Sequence, residues 1–531
     1  MTDKWVADLE NGMYQNPILY TDYSDPDAIR VGDDYFMIAS SFCNAPAIPL
    51  LHSKDLVNWK VVNYVLEQIP GERYREPMHG CGVWAPSIRY HEGTYYVCFP
   101  MPDEGIFMCT AKDPFGTWSK PINIRPGAGW IDPCPFWDED GNAYLVAGVA
   151  KSRIGYKSVL HLVRMKPDGT KVFGDEVRIF DGNLNDQVTI EGPKMHKKDG
   201  YYYIFAPAGG VKQGWQTVLR SKNIWGPYEY KVVMRQGDTD INGPHQGAWV
   251  DTQTKEDWFL HFQDVYAAGR ITHLQPMHWE NGWPIIGVKK DGNEYGEPVR
   301  TYRKPNVGGN HPIVACATSD EFNLDKLGLQ WQWNANWKHE WYELLPEKSM
   351  LKLNAQPKKK ETAMVNLPNL LLQKWPANQF SCVSMLSLTT LCDGDVAGLV
   401  SMGVTFGALL IKKQPEGYKL YQKSEQQIFG AKGYQVEQEE TYVCDWLQDD
   451  IYLKYDVSLV GYEDQIETKN APIEEICFSY STDGIEYTTV FSIRATAGRW
   501  VGVKNGFCCY HDGSGESSGS VLIDYVRYKL T

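Results

Sequence analysis

Three acids stand at the head of short strand-like runs: Asp25 in Asp25-Pro26, Asp132 in Asp132-Pro133 and Glu191 in Glu191-Gly192-Pro193. Alone, an Asp-Pro is a turn and a Glu-Gly a solvated loop. In a shared register the three have no packing rationale, because crowded carboxylates repel and lose hydration. Such crowding serves acid and base work, where it moves proton affinities. Cleavage of a glycosidic bond needs one acid to protonate the leaving oxygen and one ionised base to activate water on the opposite face. A third carboxylate beside the acid raises its proton affinity and helps orient it. The expected division has two acids ionised and one protonated.

The elements that must position these acids repeat. Five times the chain runs from a proline through a short strand and a polar turn into an aromatic-rich strand, with the prolines at Pro26, Pro86, Pro133, Pro193 and Pro244. Turns such as His91-Glu92-Gly93 and Lys198-Asp199-Gly200 are hairpin signals. The spacing leaves room for about four short strands per repeat, which predicts a five-bladed β-propeller. Ser53-Lys54-Asp55 before Trp59, Ala111-Lys112-Asp113 before Trp118 and Ser221-Lys222-Asn223 before Trp225 echo one another as outer-strand turns. In a propeller the first strand of each blade lines the channel, so the residues opening these strands meet at the axis. They are Asp25, Trp84, Asp132, Glu191 and His245.

Composition limits the alternatives. With 531 residues, two large domains are the natural division. A formal net charge of -14 and the lack of a long basic run exclude nucleic acid as an expected partner. No apolar run is long enough to span a bilayer and no leader pattern opens the chain, so no membrane partner and a cytoplasmic location are expected. The 12 cysteines include no Cys-x-x-Cys pair and read as reduced and structural. Nothing in the sequence signals an oligomeric state.

Asn16-Pro17-Ile18-Leu19 with Asp25-Pro26, Ser53 to Trp59, Trp84-Ala85-Pro86-Ser87, Ile190-Glu191-Gly192-Pro193, Gly269-Arg270 and Gly282-Trp283-Pro284 occur together and in order. In these residues the chain resembles glycoside hydrolase family 43, over essentially its first 290 residues. The resemblance implies an inverting enzyme with Asp25 as general base, Glu191 as general acid and Asp132 as the acid that modulates and orients Glu191. It also implies substrate contacts from Arg270 and His245, an apolar wall from Trp84 and a pocket-facing Phe42. No cofactor is required for such chemistry and no metal ligand set is assigned, although His245 could sit beside a structural Ca2+ in the channel.

Cys43, Asn44 and Ala45 follow Phe42 where xylosidase-like relatives carry bulkier residues, and Lys194 follows Pro193 where His is common. A smaller, more polar wall is expected to open the pocket toward a branched main chain. The substrate expected is therefore a pentose-containing oligosaccharide of xylan degradation, with an exo-acting preference for terminal α-L-arabinofuranosyl side chains of arabinoxylan oligosaccharides. The alternatives are a β-D-xylosidase or dual-activity enzyme and, in another class, a non-catalytic sugar-binding propeller. A binding module would not need three aligned acids. The fructan hydrolases of family 32 carry Asn-Asp-Pro-Asn and Arg-Asp-Pro signatures absent here.

The repeat stops after about residue 300. The expected organisation is a propeller over 1–305, a linker over 306–325 marked by Pro305 and Gly308-Gly309, and a β-sandwich over 326–531. Alternating segments such as Gly417 to Gln422 suit two packed sheets. Gly498-Arg499-Trp500-Val501-Gly502 is the stretch expected to reach the active-site rim.

Overall fold

The computed structural model describes residues 3–430, 433–464, 471–513 and 515–531. The first half is a five-bladed propeller. Its innermost strands are Asp27–Val31, Ser87–His91, Trp130–Trp137, Lys194–Lys198 and His245–Asp251. Each is followed outward by three antiparallel strands in sequence order, and blade four gains two short strands, Val288–Lys289 and Gly296–Glu297. Innermost strands of blades one and two, two and three, three and four, and five and one touch around the axis.

Local sequence explains the hairpins. Glu92-Gly93 and Asp199-Gly200 both have positive φ at the two turn positions, as a two-residue turn matching strand twist requires. The outer turns are held by side chains: the Asp55, Asp113 and Asn223 Oδ1 atoms accept from the N–H groups of Val57, Phe115 and Trp225.

The ring is sealed by both ends of its own chain. Met13–Gln15 pairs antiparallel with Thr301–Arg303. The buried Asn16 amide donates to the Leu274 and Val299 carbonyls at 2.7 and 2.8 Å and accepts from the Leu274 N–H.

The second half is a sandwich of an eight-stranded and a seven-stranded sheet. Asp320 already exchanges backbone hydrogen bonds with Val526, and Phe322 is buried in the sandwich core. The sandwich thus takes in residues from the stretch expected as linker. Several contacts fix it on the propeller: Ala45 bridges Trp333, Asn336 bonds both backbone groups of Ile69, and Val503 N–H donates to Ala267.

Candidate active site

The five openers stand at three levels. Asp25 and Asp132 directly precede their prolines, and both adopt left-handed backbone, φ 56 and 54, a strained choice for a pre-proline residue. In blade four that position belongs to Gly192, φ 58, and in blade five to Gly243, φ 44. Glu191 lies one residue earlier, level with Trp84. Both donate their N–H to a proline carbonyl of the second strand, Pro207 and Pro100. His245 lies one residue past its proline. The shared register expected for the three acids therefore holds for Asp25 and Asp132 but shifts by one at Glu191. The Glu191 side chain is 24% exposed, whereas that of Asp25 is 6% exposed and Asp132 is enclosed.

Three donors hold Asp25. Its Oδ2 accepts from Ser24 and Ser40 hydroxyls at 2.7 and 2.6 Å, and its Oδ1 accepts from Arg270 Nη1 at 3.1 Å. The same Arg270 nitrogen donates to Ser24 Oγ at 3.0 Å. Burial works against the guanidinium charge, but Asp25, Asp264 and Asp22 around it outweigh that and raise its proton affinity. An ionised Asp25 is what this arrangement stabilises.

Asp132 lies below Glu191. Its Oδ2 accepts from Gly192 N–H at 2.8 Å and Gln246 Nε2 at 3.1 Å. A side chain at Gly192 would strike the Gln246 amide, so this close approach requires glycine. Burial pushes the Asp132 carboxyl up to about 7, with the charges of Glu191 and Asp25 adding and Lys194 opposing. Asp132 is thus itself a proton-holding site into the neutral range, a revision of the view that it is simply ionised. Glu191 Oε1 shares a 2.8 Å hydrogen bond with the buried His245 Nε2.

Phe42, Trp84 and Trp500 form an aromatic corner. Trp500 stacks on Phe42 at 6.3 Å and meets Trp84 edge-on at 4.8 Å, while the Arg153 guanidinium lies 4.9 Å from the Trp84 ring. Trp500 belongs to the sandwich, so both domains build the pocket.

Cys43, Asn44 and Ala45 do not line it. Cys43 is buried in the core between blades one and two, Asn44 donates to Trp333 O and accepts from Lys504 Nζ at 2.7 Å, and Ala45 bridges Trp333. All three serve propeller core or domain interface. The expected widening of the sugar wall has no structural basis.

Ser24, Ser40 and Gln246 were not singled out by sequence reasoning. Gln246 reaches Asp132 because it is the extra residue of a bulge between His245 and Gly247, with φ 42. No pattern of residue types announces that bulge. Ser24 and Ser40 carry a weak signal, being adjacent to Asp25 and to the turn before Phe42.

One residue past each proline lie Asp27, Ser87, Cys134, Lys194 and His245, a polar ring beneath the acids. Asp27 Oδ1, Ser87 Oγ, Lys194 Nζ and His245 Nδ1 are enclosed without a protein partner, which fits a chamber holding water. Among the described residues no group of three or more His, Cys, Asp or Glu is arranged to hold a metal ion. A hard dication wants six to eight oxygens. Here Arg89 engages Asp27 at 2.7 Å, Glu191 engages one imidazole nitrogen, and an ammonium shares the ring.

The sequence model described as Glycosyl hydrolases family 43 matches residues 14–284. One described as Beta xylosidase C-terminal Concanavalin A-like domain matches residues 319–529. A putative beta-xylosidase of Xylanibacter ruminicola is 41% identical over 76% of this chain and 73% of its own length. A beta-xylosidase of Formosa agariphila is 31% identical over 99% of this chain and 92% of its own. A non-reducing end alpha-L-arabinofuranosidase of Bacteroides ovatus is 30% identical over 66% of each. Among solved structures, a GH43 protein of Bacillus licheniformis aligns with TM-score 0.80 and 26% identity, covering 98% of this chain and all of that one.

Proposed function

Because the chain belongs to glycoside hydrolase family 43, we propose that it removes terminal pentose from xylan-derived oligosaccharides by an inverting mechanism, with β-D-xylose released at least as well as α-L-arabinofuranose. The chain is a glycoside hydrolase of the xylosidase and arabinofuranosidase group. Its preference within that group is our inference. Cys43, Asn44 and Ala45, the residues that would favour arabinofuranose, serve propeller core and domain interface, and the relatives at 41% and 31% identity are named putative beta-xylosidase and beta-xylosidase.

The observation that carries the mechanism is the stagger of the acids. Asp25, clamped by Arg270, Ser24 and Ser40, stays ionised and takes the proton of an attacking water. Glu191, higher and partly exposed, reaches the leaving oxygen as acid. Asp132 orients Glu191 through Gly192 N–H, and below neutral pH it shares in holding a proton beside the acid. The aromatic corner takes the apolar face of the terminal sugar, and Arg270 meets its hydroxyls. Kinetics on aryl β-D-xyloside and aryl α-L-arabinofuranoside, with NMR of the first-formed anomer, test the reading. A retained anomer overturns the mechanism, and arabinofuranoside turnover well above xyloside turnover overturns the preference.

A further inference from the structure

A cleft of about 1070 Å3 opens between blades four and five of the propeller and the sandwich. Arg270, which clamps Asp25, and Trp500 of the aromatic corner are among its lining residues, so it adjoins the catalytic pocket. Its propeller wall is formed by Lys212, Asp264 and Tyr266, with the Lys212 ammonium 4.7 Å from the Tyr266 ring.

The opposite wall is the inner face of a sandwich sheet, and there the alternation of side chains breaks its own rule. Strands Thr405–Gln414, Gly417–Gly430 and Gly433–Trp446 pair so that Thr405, Gln426 and Glu437 form one row across three strands, with Ser424 and Glu439 beside it. Cross-strand partners share a face. Further along that face, Leu409, Ile411 and Leu420 are buried in the sandwich core. Inner faces are apolar because the other sheet covers them. Where this face passes the edge of the other sheet and fronts the cleft, every side chain in the row is polar.

A wall of hydroxyl, amide and carboxylate groups facing Tyr266 and Trp500 suits a neutral, hydroxyl-rich chain. Lys212, Arg270 and Arg494 line the cleft together with Asp264, Glu437 and Glu439, so neither sign of charge dominates it, and the polar row disfavours lipid. The volume lies at the top of the range for small-molecule pockets, about 300–1,000 Å3, so it exceeds one sugar ring. We propose that this cleft holds the leaving-group side of the substrate, the main chain of a xylan oligosaccharide extending several residues beyond the scissile bond, with the sandwich as its binding wall. The proposal rests on the pentosidase reading above.

The test uses the full-length enzyme, a combined Gln426→Ala, Glu437→Ala, Glu439→Ala variant and a separate Ser424→Trp variant that fills the cleft, with thermal melting as the folding control. Substrates are xylo-oligosaccharides from dimer to hexamer and the two aryl pentosides, which have no main chain. Wild-type kcat/KM should rise with chain length by about tenfold, a gain equal to a few hydrogen bonds. Both variants should lose that rise through KM while aryl pentoside turnover stays within about twofold of wild type. A flat wild-type length dependence, or variants that keep the rise, overturns the cleft while leaving the pentosidase reading intact. Absence of turnover on both aryl pentosides overturns that reading, and the cleft with it.

Discussion

The Asp22 carboxylate accepts the Gly502 N–H at 2.8 Å through one oxygen. Through the other it accepts the Arg270 N–H at 2.9 Å. One buried side chain therefore fixes both the strand that carries the Asp25 clamp and the sandwich loop that carries Trp500. Replacing it with an amide puts a donor against one of the two N–H groups. Asp22→Asn should lower kcat/KM on both aryl pentosides by about one to two orders of magnitude. Trp500→Ala should cause a loss of similar size, and the double variant should lose far less than the product of the two. Additive losses would show that Asp22 does not act through the loop.

Asp25 and Glu191 should fail differently. Water activation is needed for every substrate, so Asp25→Ala should depress aryl glycosides and oligosaccharides alike. An activated aryl group leaves with little protonation, so Glu191→Ala should spare it by about 10- to 100-fold relative to an oligosaccharide. The ratio of the two activities in each variant is the measurement, and equal ratios would refute the assignment.

Asp132 links activity to stability. Its proton affinity is raised on folding, so the stability this group contributes is intact below about pH 4 and is lost as the pH rises through about 7. Asp132→Asn should melt higher than wild type, with an advantage growing by on the order of 2 kcal/mol between pH 5 and pH 8. Removing the neighbouring charge should also move the alkaline limb of the kcat/KM profile to lower pH.

Lys504 makes the reverse prediction at the domain interface. Burial and then the nearby Lys374 lower its proton affinity, to about 8. Below that value both folded and unfolded states carry the charge and the folded state bears its full burial cost. The cost is relieved as pH rises from about 8 toward 10.4, the ordinary lysine value. Lys504→Met should be more stable than wild type at pH 7 by about 1–2 kcal/mol, less whatever Asn44 Oδ1 loses with its donor. Denaturant melts should show that advantage vanishing by pH 10.

Lys194 places its Nζ, without a protein partner, in the axial chamber. EDTA should leave activity unchanged. Removing the ammonium removes what opposes the rise at Asp132, so Lys194→Met should shift the pH profile upward. A loss of activity without such a shift would mean that Lys194 only fills space.

Much of this architecture was legible because repetition is a global signal. The five prolines mark the innermost strands, and the echoing Ser-Lys-Asp turns fall at the outer-strand ends where their side chains hold the chain. What failed were inferences from neighbourhood in sequence. Cys43 to Ala45 follow a pocket residue, yet a strand-like bridge turns them into core and domain interface. Glu191 resembles its fellow acids in context, yet one inserted residue, Gly192, lifts it a level and separates its exposure from theirs. Gln246 depends on a bulge that leaves no pattern along the chain, whereas Trp500, although it comes from a separate domain, lies in the Gly498 to Gly502 stretch expected at the rim and does reach the aromatic corner.

The seal that closes the propeller also sets a schedule for its synthesis. Asn16 and the Val299 carbonyl it binds are 283 residues apart. At about 5–20 residues per second, the first strand leaves the ribosome roughly 15–55 seconds before its partner exists. During that interval blade one stands with an open edge and an uncovered apolar face, the condition under which nascent chains seek chaperones or one another. Asn16→Ala should therefore act chiefly on yield. The soluble fraction should fall when translation is slow and recover when a chaperone is supplied, while the molecules that do close keep their specific activity.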